Sequence, residues 1–208
     1  MITLDPVDIF PTRIFVTKQL EFLPAIQKVA DKYIAAKKEE GCNNKIYPIC
    51  QTANIFDDEE AVSFCNFILS AAPAILNNQG FDTTNFQFGF NDMFVQEHRT
   101  GSGHDRHSHG NSVISGFYFL KVPKNAPRVK FYDPRPVKEF SSFFPEKDGN
   151  LMTPATMAIH HMPEEGLFLF SNSWLQHSFE RNESDDPFVL VHFDLYPIYA
   201  PASEAIIV

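Results

Sequence analysis

The sequence predicts an α+β fold that is mainly β, a jelly roll with N-terminal helices buttressing one of its sheets. Helical periodicity is confined to the first 83 residues, strand-like runs separated by turn residues fill the rest, and 15 of the 22 phenylalanines fall after residue 83. Helices followed by a run of strands is an α+β order, and a closed or nearly closed jelly roll removes the exposed strand edges that such a run would leave. Large rings suit a β interior, where they serve core packing. The 208 residues suffice for a sizeable core. One domain is expected, with residues 1–83 as strand and helical support and 84–208 as the jelly-roll core.

Taken in order, Thr12–Thr17 follows Pro11, is rich in β-branched and aromatic residues, and reads as a short strand. From Leu20 to Glu40, Leu23, Ile26, Val29, Ala30, Tyr33 and Ile34 recur at three and four, which predicts an amphipathic helix stopped by Gly41. The section through Pro48 reads as irregular. Asp57 or Asp58 can cap a second helix whose stripe is Ala61, Phe64, Cys65, Ile68 and Leu69; Pro73 is expected to break or kink it and Gly80 to end it. From Asn85 the pattern is that of strands: Phe86–Phe90, Met93–Gln96, Val113–Val122, Arg128–Tyr132, Met157–His161, Leu167–Ser171 and Phe188–Leu195, with Pro, Gly and Asn between them.

Composition narrows the function. The formal charge is −9 and the basic residues form no stripe or block, so direct nucleic-acid binding is not expected. There is no run of eighteen or more apolar residues, and the first residues lack the regions of a signal peptide; no membrane association and a cytoplasmic location are the expectation. Cys42, Cys50 and Cys65 form no C-x-x-C pair, which argues against a disulfide framework and predicts reduced thiols.

The chemistry concentrates in His104-Asp-Arg-His107-Ser-His109-Gly-Asn111, where three of the eight histidines fall within six residues at the edge of an apolar strand. In extended chain, i and i+2 share a side. His107 and His109 therefore present two imidazoles to one point, and His177, about seventy residues on at the edge of another strand-like run, supplies a third ligand if the strands converge. His98 and His104 have weaker claims on the site, His160 and His161, at a turn before Met162-Pro163, read as structural, and Trp174 reads as core before pocket wall.

His107-Ser-His109-Gly-Asn111 leading to Ser115-Gly116-Phe-Tyr118, then Val129-Lys-Phe-Tyr-Asp133-Pro134-Arg135-Pro136, then Glu165-Gly166 through Trp174-Leu-Gln-His177 resembles the 2-oxoglutarate/Fe(II)-dependent oxygenase family over about Met93 to Tyr196. The opening Ile9-Phe10-Pro11-Thr12 is a weaker echo of its N-terminal strand. The resemblance implies a double-stranded β-helix, a ferrous ion, 2-oxoglutarate and O2 as co-substrates, and a primary substrate that no motif identifies. Such sites hold iron by one face, with two histidines and a carboxylate as the common set. Here His107 would be the first histidine, His109 would stand in the carboxylate position and His177 would be the distal histidine; the alternative register is His109, Asn111 and His177.

The family's Arg that grips the far carboxylate of 2-oxoglutarate opens the last strand, where this chain has Phe188. A buried carboxylate without a partner is costly, so the anchor is expected on another strand: Lys121, Arg128 or Lys130 first, with Arg135, Arg181 and His192 as further candidates and Tyr118 assisting through its hydroxyl. Two other readings stand beside the oxygenase. Gly101, five residues and His107-x-His109 match the start of a cupin motif, although Ser112, Val113 and Ile114 stand where its glutamate should be. A degenerate jelly roll could also bind metal or ligand without turnover.

Overall fold

The computed structural model describes residues 5, 9–42, 48–141, 143–149 and 151–201. Ten strands form two antiparallel sheets: β1 (Ile14–Lys18), β2 (Ile49–Asn54), β3 (Phe86–His98), β4 (His104–His107), β5 (Ile114–Lys121), β6 (Val129–Tyr132), β7 (Ala158–His161), β8 (Leu167–Asn172), β9 (His177–Phe179) and β10 (Phe188–Tyr199). The major sheet runs β1-β8-β5-β10-β3-β2 and the minor sheet β4-β9-β6-β7. This is the double-stranded β-helix arrangement, mainly β with helical support.

The two long helices lie where periodicity placed them, α1 at Leu23–Glu39 and α2 at Val62–Asn78, each preceded by a short 3-10 turn. Asp58 caps the second turn by accepting from the Glu60 N–H at 3.0 Å. Gly41 and Gly80 follow the helices at φ +102° and +93°, a conformation that costs a side-chain-bearing residue energy. Helix α2 runs through Pro73 instead of breaking there. The proline forgoes one backbone bond to the carbonyl four residues back, while Phe64, Ile68, Ala72 and Ile75 are buried on both sides of it and hold the helix to the sheet. The segment Glu59–Asn78 is long and apolar enough to cross a membrane by length and composition; here it is a core helix packed on β strands.

Several elements depart from expectation. Strand β2 forms just after the section read as irregular, where no element was expected, and extends the major sheet, as does β1, so strands before residue 84 complete a sheet expected from the 84–208 core. Phe86–His98 is one 13-residue strand, and α3 (Pro136–Ser141) is an additional short helix. Cys42 and Cys50 are joined as a disulfide with Cα atoms 5.6 Å apart, which corrects the expectation of three reduced thiols. Cys65 is a free, buried thiol, and burial pushes it up to about 11.

The major sheet separates two cores. Its outer face carries Met93, Val95, Tyr118, Phe168, Phe170, Val191 and Phe193 against the helices. Its inner face carries Phe117, Phe119, Leu169, Phe188 and Leu190 toward Val129, Phe131 and Phe179 of the minor sheet. Strand alternation makes this division. On β10, Val191, Phe193 and Leu195 go to the helices, and Leu190, His192 and Asp194 go between the sheets.

Candidate metal centre

Strand pairing brings the three histidines together. In the β4–β9 ladder His107 lies opposite His177, and the chain then turns so that the His109 N–H donates to the Ser173 carbonyl at 2.9 Å, tying the histidine turn to the β8–β9 connection. Ring centroids are 4.5 Å apart for His107 and His177, 5.0 Å for His107 and His109, and 5.3 Å for His109 and His177. One nitrogen from each lies within 4.8 Å of the other two.

The outer hydrogen bonds fix which nitrogen is free. His107 Nδ1 lies 2.7 Å from the Asp105 carbonyl, His109 Nδ1 2.9 Å from Asp194 Oδ2, and His177 Nδ1 3.0 Å from the Leu175 carbonyl. These acceptors assign the proton to Nδ1 and leave the lone pair on Nε2. The Nε2 atoms of His109 and His177 are buried and meet no partner among the described residues, a costly state for a polar atom that a metal ion relieves. Burial pushes His107 down to about 4 and His177 to about 3, so both are neutral at physiological pH, the form that ligates. The donor set and its outer bonds fit an ion bound by imidazole.

Asp194 was missed by the sequence reading. Its carboxylate, 4% exposed, accepts from His109 Nδ1 and from His192 Nε2, each at 2.9 Å, and from the Ser115 hydroxyl. Burial opposes its charge, but the two histidine bonds outweigh burial and hold the group well below the usual carboxylate range. The signal was the spacing His192-Phe-Asp194 on the last strand, two inward-facing polar residues in an apolar run. His109, His192 and Asp194 also have ligand atoms within 4.8 Å of one another, yet Asp194 Oδ2 is already taken by both rings. A carboxylate that accepts from a histidine orients that ring and raises its basicity as a ligand.

Of the remaining residues singled out from the sequence, His192 lies in the site, 3% exposed and stacked on His109 at 4.7 Å, and His104 borders it, its ring 4.1 Å from that of His107. Tyr118 faces the helices: its hydroxyl donates to the Gln19 carbonyl at 2.8 Å and its ring packs on Phe168 and Phe64. Arg128 makes a two-pronged ion pair with Glu180. Lys130 lies over the Tyr132 ring on the outer face of the minor sheet, because its neighbours Val129 and Phe131 face inward. Lys121 is exposed at the far end of β5, 4.0 Å from Asp186. Arg135 pairs with Asp133, and Arg181 donates to the Gly101 carbonyl. Asn111 is exposed in the histidine turn and outside the convergent set. Phe188 is fully buried against Phe119 and Phe179. Trp174, expected in the core, is 53% exposed.

A family model described as "Putative 2OG-Fe(II) oxygenase" matches residues 92–194, the span that holds every residue of the centre. The chain belongs to the 2-oxoglutarate/Fe(II)-dependent oxygenases. No curated protein matches it. Solved structures share its fold at low identity. AviO1 from Streptomyces viridochromogenes Tue57 has a TM-score of 0.62 at 10% identity, covering 92% of each chain. A viral collagen prolyl hydroxylase from Paramecium Bursaria Chlorella virus-1, in complex with 2-oxoglutarate, has 0.52 at 15%, covering 90% of this chain and 96% of its own. HygX from Streptomyces hygroscopicus, with nickel, 2-oxoglutarate and hygromycin B bound, has 0.55 at 8%, covering 89% and 83%.

Two cavities of this oxygenase meet at His109. The inner one, about 120 Å³, lies between the sheets, walled by Phe94, Phe117 and Phe179, with Gln51, Gln96, His104 and His192 as its polar lining beyond His107 and His109. The outer one is an apolar groove of about 420 Å³ that includes Leu76, Phe81, Phe86, Val113 and Trp174. The cofactors of the family are Fe(II) and 2-oxoglutarate. The three imidazoles fit the first, and the inner cavity offers neutral hydrogen-bond donors to the second.

Proposed function

We propose that this oxygenase inserts oxygen into a C–H bond of its substrate, as a hydroxylase or a demethylase, with His107, His109 and His177 holding Fe(II). When bound, the metal supplies the redox chemistry that couples oxidation of the substrate to decarboxylation of 2-oxoglutarate; one atom of O2 ends in succinate and the other in product. The observation that carries this reading is the convergence of three imidazoles, each Nδ1 tied to an acceptor and two Nε2 atoms buried without a partner among the described residues. The chain's contribution is positional and electrostatic. Asp105, Leu175 and Asp194 fix the rings, and Asp194 places one negative charge a hydrogen bond behind a neutral ligand set. The inner cavity receives 2-oxoglutarate, and the groove on the other side of His109 supports a primary substrate that presents an apolar group. The charge of −9 supports a substrate other than nucleic acid.

Anaerobic titration of purified protein with Fe(II) should show about one ion per chain, and His177→Ala should abolish it; unchanged stoichiometry in that variant would sink the assignment. His107→Ala should impair binding more than Asn111→Ala does, and the reverse order would transfer the site to the other register. With iron bound, 2-oxoglutarate should give succinate in air, slowly alone and faster with substrate. A metal-loaded protein that binds 2-oxoglutarate and never releases succinate, with any apolar substrate tried, would favour the reading without turnover.

A further inference from the structure

Among the described residues, no lysine or arginine lines the inner cavity, and each basic residue considered above points elsewhere. A second carboxylate entering it meets amides and imidazoles. The more deeply placed of the two amides is Gln96, 5% exposed on the inner face of β3. Its amide donates to Gln51 Oε1 on β2 at 3.3 Å, and its own Oε1 lies 3.3 Å from His98 Nε2. Both contacts are long for hydrogen bonds involving these groups. A primary amide has two N–H groups, so Gln96 and Gln51 together hold donors that these long contacts leave weakly used. Gln96 is buried while Gln51 is exposed, and a buried amide whose N–H groups are weakly used is costly in an apolar interior unless something accepts from it.

Register sets the distance. Strand β10 places His192 opposite Phe94 and Leu190 opposite Gln96, and β2 places Gln51 opposite Gln96. Gln96 is therefore one two-residue step along the sheet from the level of His192, an advance of about 6.6 Å. An extended five-carbon chain spans roughly 5 Å between its end carbons. A 2-oxo acid held at the histidines by its keto-acid end reaches the amides with its other end.

Resting on the oxygenase reading above, we infer that Gln96, assisted by Gln51, receives the far carboxylate of 2-oxoglutarate through neutral N–H donors in place of a cation. A carboxylate that accepts two or three N–H bonds is stabilised in its charged form without a counter-ion. The chain thus departs from a cationic grip while keeping the same co-substrate.

The test is anaerobic titration of the Fe(II)-loaded protein, following the visible charge-transfer band, with 2-oxoglutarate and with 2-oxopentanoate, which has the same chain length but ends in a methyl group. Gln96→Leu should weaken 2-oxoglutarate binding about 10- to 100-fold, leave 2-oxopentanoate within about threefold, and leave iron stoichiometry unchanged. Gln96→Glu keeps the shape and sets carboxylate against carboxylate; it should reject 2-oxoglutarate more strongly than Gln96→Leu does while still admitting 2-oxopentanoate. Equal loss of both acids, or unchanged 2-oxoglutarate affinity in both variants, would overturn the anchor while leaving the co-substrate in place. A wild-type protein that binds iron and shows no band with millimolar 2-oxoglutarate would overturn the co-substrate assignment and the anchor with it.

Discussion

The two faces of the major sheet do different work with the same strands. On the outer face the inward positions are mostly apolar, the buried Glu97 and Asn172 being paired to Lys38 and Gln79 beside the helices, and Phe168 alone stacks or tilts against Phe64, Phe67, Tyr118 and Phe170 within 6 Å. On the inner face the same strands carry His192, Asp194, Ser115 and Gln96 among the rings of Phe94 and Phe117. A period of two separates stability from chemistry along β3, β5 and β10. Substitutions one residue apart should therefore fail in different ways.

The largest effect belongs to the outer face. Phe168→Ala removes a fully buried ring from the centre of an aromatic cluster and should cost about 3–5 kcal/mol of unfolding free energy, measured by denaturant titration, with iron affinity of the folded fraction unchanged. A matching loss of iron affinity would break the division between the faces. Next comes Asp194→Asn on the inner face. It keeps the shape but removes the charge that His109 and His192 donate to. Iron affinity should fall 10- to 100-fold, the range for losing a group that orients a ligating histidine, as read by competition with a metal chelator. An unchanged affinity would mean that the Ser173 carbonyl and the neighbouring rings suffice to hold His109.

How much of this was legible in the sequence follows from the same period of two. The long helices and the convergence of His107, His109 and His177 were readable, because periodicity marks an amphipathic helix and His-x-His at a strand edge fixes two ligands on one side. Tyr118 was assigned to the site because Ile114–Leu120 is buried on both faces, and a continuous apolar run gives no sign of which residues point inward. Register with β8 and β10 decides that, and register is a tertiary property. Lys130 on β6, and Arg128 just before it, failed because Val129 and Phe131 take the inward positions. Asp194 and Gln96 were overlooked as polar residues in strands whose inner neighbours were still unknown. Strands β4 and β9 were missed because they are four and three residues long and built partly of histidine, too short for any pattern. The Cys42–Cys50 pair joins the end of α1 to β2, and β2 is a strand that the sequence pattern did not suggest.

The smallest effect gives the sharpest comparison. Tyr118 and Phe117 are adjacent on β5, yet Phe117 touches His177 and His192 at 5.4 Å while the Tyr118 hydroxyl bonds the Gln19 backbone beside α1. Burial pushes that phenol upward, with Glu21 adding to the shift, so it stays protonated at any physiological pH and acts only as a donor. Tyr118→Phe keeps the ring and its contacts and removes one buried hydrogen bond, which should cost about 1 kcal/mol of stability. Its effect on 2-oxoglutarate affinity, measured on the iron-loaded protein, should be nil. Phe117→Leu, one residue away and conservative in polarity, should do the opposite, leaving stability lowered by about 1 kcal/mol but loosening the wall behind two site histidines, so that iron and 2-oxoglutarate binding both weaken. A loss of co-substrate affinity in Tyr118→Phe would mean that the β5 register is wrong by one residue, since such a slip exchanges every side chain between the two faces.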